Sequence, residues 1–65
     1  MHRYQILVMD EKTKLDEKLA KLIAFINGPD FVQVPQAERR RIINQSGIMR
    51  EYSEILGARI ESFRT

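Results

Sequence analysis

The sequence predicts an all-α fold, an antiparallel two-helix hairpin that assembles into a helical homo-oligomer. Three observations carry that reading. Apolar residues repeat at seven in two long segments, Val8, Leu15 and Leu22 in the first and Ile42, Met49, Leu56 and Phe63 in the second. A strong stop signal, Asn27, Gly28 and Pro29, stands between the segments. And a chain of 65 residues without cysteine removes only about 60% of its unfolded surface from water when it folds. With neither a disulfide nor a thiolate metal site to add stability, self-association is the cheapest route left.

The first helix is read from about residue 3 to 26, because Leu19 and Ile26 flank the Val8, Leu15, Leu22 seam four residues on. Asn27 and Gly28 suit the left-handed conformation that closes many helices, and Pro29 cannot continue one. The loop, about 27–34, carries Phe31, Val32 and Val34, apolar enough to fold back over the open end of the hairpin. The single internal-start histidine, His2, is expected to be solvated and frayed.

The second helix is read from about residue 35 to 63. Pro35 suits a first turn, where its missing N–H costs nothing, and Glu38 places a negative charge in the same turn. A connection this short favours an antiparallel neighbour. If the apolar seams face each other, Leu22 lies near Ile42, Leu15 near Met49 and Val8 near Leu56. Three residues on from the apolar seam runs a polar one, Gln45, Tyr52 and Arg59. Lys12, the one charged member of the seam Lys12, Leu19, Ile26, is expected level with Tyr52, and Gln5 with Arg59. Two glycines inside this helix, Gly47 and Gly57, each cost about 1 kcal/mol relative to alanine.

The composition excludes more than it selects. Eleven basic and nine acidic residues give a net charge of +2, too little for a duplex-binding surface without a concentrated patch. Arg39, Arg40 and Arg41 form the one basic run, and they point in different directions around a helical turn. The apolar start, Ile6 to Met9, is far shorter than a signal-peptide core or a membrane span, so the expected location is the cytoplasm with no membrane contact. No catalytic constellation is present, since Ser46 and Ser53 have no base among their sequence neighbours. No metal site and no cofactor are expected. Asp10, Glu11, Asp16 and Glu17 interleave with Lys12, Lys14, Lys18 and Lys21 in the manner of a solvated face with ion pairs.

The chemistry that remains is recognition. Long stems let Lys12, Gln45, Tyr52 and Arg59 lie along apolar surface with their heads in water, but the same residue types form a minimal set for a nucleotide-like anion. Tyr4 or Tyr52 offers a ring face for a base, Lys12 and Arg59 offer charge for phosphate, and Gln45 reads a base edge. In a symmetric oligomer each group is duplicated across the axis, which suits a two-fold ligand such as a cyclic dinucleotide.

Tyr4, Val8, Glu11, Lys12, Leu15, Leu19, Leu22, Phe25 and Ile26, with Gln45, Met49, Tyr52, Leu56, Arg59 and Ile60, resemble the pattern of a family of small proteins of tailed phages and prophages, described as related to a crAss-like phage protein. The resemblance spans nearly the whole chain. It implies a phage accessory protein acting in the bacterial host cell, and its size and architecture are similar to those of phage sponges that bind cyclic nucleotide immune signals without cleaving them. The expected ligand-binding residues are Tyr4, Lys12, Gln45, Tyr52 and Arg59. The alternative is an interaction module that docks Ile6, Leu7, Ile48 and Ile55 on a host or phage protein.

Overall fold

A computed structural model describes residues 2–64. Two long helices, α1 (Arg3–Ile26) and α2 (Gln36–Glu61), account for most of it, with short 3-10 turns at Phe31–Gln33 and Ser62–Arg64 and no strand among the described residues. The helices lie side by side and antiparallel in a rod of 46 × 14 × 14 Å. Tyr4 near the start of α1 meets Phe63 beyond the end of α2 edge to face, with ring centroids 5.8 Å apart.

Each helix end has a local cause. At the start of α1 the backbone N–H of His2 donates to the Gln5 side chain at 2.9 Å, and the His2 ring stacks over Tyr4, so this residue is exposed but held. The end of α1 departs from the expected left-handed cap. Asn27 keeps right-handed geometry and donates to the Ile23 carbonyl. Gly28 donates to Phe25, and no described residue has positive φ. A tightened last turn satisfies the carbonyls that a left-handed cap would otherwise take. Pro35 occupies the N-cap of α2 with an extended backbone, just outside the helix. In the loop, Phe31 packs its ring edge against Phe25 at 5.8 Å and Val34 is half-buried, whereas Val32 points outward, 71% exposed.

The core is thin. Among the described residues only Val8, Leu56 and Ser53 are buried, and Leu56 alone is completely enclosed. Ile42, Met49 and Ile60 of α2 and Phe63 beyond its end are half-buried, as are Leu15, Leu19, Leu22, Ile23 and Ile26 of α1.

The face that α2 turns inward differs from the one its two heptad seams suggest. The Ile42, Met49, Leu56, Phe63 seam does face α1. Its inner companion, however, lies four residues on, at Ser46, Ser53 and Ile60, all half-buried or buried, while Gln45, Tyr52 and Arg59 are exposed. Two seams offset by four are as close on a helix as two offset by three, and the small serines let α1 approach. The register stays within a turn of the expected one, Lys12 bonding Ser53 beside the position of Tyr52. Ser53 bonds both Lys12 and Asp16, and Leu22 shares a groove with Gln45 and Met49, where the apolar seams alone place Ile42 opposite Leu22.

The two glycines of α2 now separate. A Cβ on Gly57 would touch the Lys12 stem at 3.4 Å, whereas one on Gly47 would meet nothing within 4 Å. Gly47→Ala is therefore expected to stabilise the chain by about 1 kcal/mol through helix propensity, raising the thermal midpoint by roughly 4–8 °C. Gly57→Ala should gain less, because the Lys12 stem must accommodate the methyl group. Thermal melts of the two variants followed by circular dichroism provide the check.

Candidate functional site

A polar network links the two helices near the middle of the hairpin. Lys12 donates to Asp16 at 2.7 Å and to the Ser53 hydroxyl at 3.0 Å, and that hydroxyl donates in turn to the second Asp16 oxygen. A serine hydroxyl in a helix interface must find partners, since burying it unpaired costs about 1–3 kcal/mol, and here both partners come from α1. No side-chain polar atom is buried unpaired among the described residues. The network ties one position of α2 between two positions of α1 one turn apart.

The Lys12 and Ser53 bonds hold the Asp16 carboxyl below its ordinary pKa of 3.8. Because the carboxylate is the bonded form, its contribution to stability is complete above that ordinary value and is lost as the pH falls through the depressed folded one. Wild type should lose stability on acidification below about pH 4 more steeply than Asp16→Asn, which has no proton to gain there. Urea midpoints from pH 6 down to pH 2 measure the difference. At the α1 surface, Asp10 holds the Lys14 ammonium and raises its pKa in the same way.

Closer to the loop lies an open groove of about 420 Å³ lined by Lys18, Lys21, Leu22, Phe25, Gln45 and Met49. Leu22 and Met49 form its apolar floor and Phe25 offers a ring that is 40% exposed. The Gln45 amide donates weakly to the Met49 sulfur at 3.8 Å. The lysines divide into two kinds. Lys12 and Lys14 are each bonded to a carboxylate four residues away, while Lys18 and Lys21 have no ion-pair partner among the described residues and stand free at the rim.

Of the five residues expected to bind a ligand, Gln45 alone lines this groove. Ile48, Tyr52, Ile55 and Arg59 continue from Gln45 along one stripe of α2 at alternating spacings of three and four. On α1 the groove flank runs back from Phe25 through Lys18 and Glu11 to Tyr4 in steps of seven. Lys12 stands apart, half-buried in the network with Asp16 and Ser53. Lys18, Lys21 and Phe25 are the groove residues that sequence reasoning left among solvated or apolar surface positions. Lys18 and Phe25 share the Tyr4, Glu11, Lys18, Phe25 seam, and Lys21 lies three residues on from Lys18.

Of the arginine run, Arg41 is bonded to Glu38 at 3.0 Å and Arg39 is half-buried. Arg40 borders a smaller depression with Gln36 and Ala37. Among the described residues no acidic or histidine cluster could hold a metal ion, and no helix is long and apolar enough to cross a membrane.

Fold and groove together describe a small helical hairpin with an open recess bordered by two lysines and a phenyl ring. The chain belongs to the Sequestin family, whose model matches residues 2–62. The family name points to a sequestering function, binding rather than conversion. No curated protein and no solved structure matches the chain.

Proposed function

We propose that the protein is a phage anti-defence factor that acts in the bacterial cytoplasm as a homo-oligomer and sequesters a cyclic nucleotide immune signal without cleaving it. The observation that carries the reading is the groove, where two unpaired ammonium groups, an exposed phenyl ring and a side-chain amide converge over an apolar floor. Phosphates pair with Lys18 and Lys21, a base packs against Phe25, and Gln45 bonds a base edge. Tyr4, Tyr52 and Arg59 extend the same flank with two further rings and a guanidinium. Lys12 contributes indirectly by holding the two helices in register. Membership of the Sequestin family supports retention of a ligand as the function.

Native mass spectrometry of the protein, alone and with cyclic dinucleotides, cyclic trinucleotides and cyclic ADP-ribose isomers, tests this. An oligomer that retains one of these ligands in fixed stoichiometry is the expected result. An oligomer that takes up none of them would refute nucleotide sequestration. A second reading draws on the exposure of Ile6, Leu7, Ile48 and Ile55, each more than half accessible, which suits docking on a host or phage protein. Recovery of one stoichiometric partner in a pull-down would support it.

A further inference from the structure

The hairpin exposes more surface than a chain of its size normally does. Its accessible area is 5227 Å² for 7.7 kDa, whereas the scaling for folded monomers gives about 4,300 Å² at that mass. The surplus, about 900 Å², is close to the roughly 800 Å² that each partner contributes to a standard protein interface. Three of the ten exposed large apolar side chains among the described residues lie on one stripe of α2, Ile48 at 66%, Ile55 at 58% and Tyr52 at 42% accessible.

That stripe has a symmetry of its own. Gln45, Ile48, Tyr52, Ile55 and Arg59 read polar, isoleucine, tyrosine, isoleucine, polar, with Tyr52 midway between the ends. A two-fold axis demands such self-complementarity, because each residue must meet its mirror position on an identical surface. With the axis at Tyr52 and the helices antiparallel, Ile48 meets Ile55 and Gln45 meets Arg59. A parallel pairing would stack Arg59 against its own copy and separate Gln45 from any charge.

We propose that α2 forms an isologous antiparallel interface with a second copy of the chain, and that this pairing delivers Arg59 of each copy to the Lys18, Lys21, Phe25 and Gln45 groove of the other. Within one chain Arg59 and Gln45 stand 14 residues apart, about 21 Å along the helix, too far to grip one small ligand. Across the axis they become neighbours, so each groove gains a third cation. The pairing itself stands on area and symmetry, while the role of Arg59 in ligand contact rests on the sequestration reading.

Disulfide trapping tests the geometry without any ligand, and the absence of cysteine makes each introduced thiol unique. Oxidised Tyr52→Cys should form a covalent dimer, while Ile43→Cys, on another face of α2, should stay single. Gln45→Cys and Arg59→Cys should each stay single alone and form a crosslinked heterodimer when mixed. Circular dichroism confirms that each variant remains helical. If Tyr52→Cys does not crosslink, or does so no faster than Ile43→Cys, the interface is overturned. If Tyr52→Cys crosslinks but the Gln45→Cys and Arg59→Cys mixture does not, the delivery of Arg59 is overturned. Neither result depends on nucleotide binding, so failure here is distinguishable from failure of the sequestration reading.

Discussion

Leu56→Ala is expected to unfold most of the protein. Leu56 is the only completely enclosed side chain among the described residues, and truncating a buried leucine costs about 2–5 kcal/mol, the larger values arising where the site cannot collapse. Here little can move in to fill the space, because Val8 is the only other buried apolar residue among those described and Ser53 is held by a bond accepted from Lys12 and one donated to Asp16. Small domains sit at the low end of the usual range of about 5–15 kcal/mol in total stability, so the loss takes a large share of what there is. Ile6→Ala is the matched control, since Ile6 is 54% exposed and its truncation should cost about 0.5 kcal/mol or less. Urea denaturation measures both at several protein concentrations, because an oligomer's stability depends on concentration. Equal midpoints for the two variants would show that the hairpin is not held at Leu56.

The double variant Lys18→Ala, Lys21→Ala is expected to abolish ligand retention while leaving the hairpin folded. Hydrogen bonds to charged groups contribute about 1.5–3 kcal/mol each, so two of them correspond to a loss of roughly 10²- to 10⁴-fold in affinity. Folding should be unaffected, because neither lysine has an ion-pair partner among the described residues and both are exposed. Lys12→Ala makes the opposite prediction. It leaves Asp16 and Ser53 without their cation and should lower the thermal midpoint, with binding falling only as far as the fold does. Titration calorimetry with whichever cyclic nucleotide the protein retains, alongside thermal melts, separates the two. Full binding by the lysine pair variant, with loss of binding in a well-folded Lys12→Ala, would move the site to the centre of the hairpin. Replacement of both groove lysines by arginine should preserve most of the affinity if charge at the rim is what matters.

The contrast between these lysines shows where sequence reading reached its limit. Lys12, Lys14, Lys18 and Lys21 stand on one helix and all read as one solvated face. Lys12, Lys14 and Lys21 each have a carboxylate three or four positions away and Lys18 has none, and the packed hairpin separates them further. Lys12 bonds Ser53 and Asp16, Lys14 is held by Asp10, and Lys18 and Lys21 border the groove. The polar seam of α2 has a related history. Gln45, Tyr52 and Arg59 are binding candidates by residue type, and their place beside the apolar seam suggested a packed surface. The rotation of α2 that buries Ser46 and Ser53 turns them outward, where three polar heads need no special accommodation.

The sequence by itself determined the all-helical class, because long seven-residue repeats of apolar side chains and a proline-bounded break are local properties of the chain. The tertiary structure decided which of two adjacent seams faces inward, the register of the hairpin, and which cations stay free. Those choices turn on a few bonds between residues about 40 positions apart, Lys12 and Asp16 with Ser53, and no periodicity within a single helix encodes them.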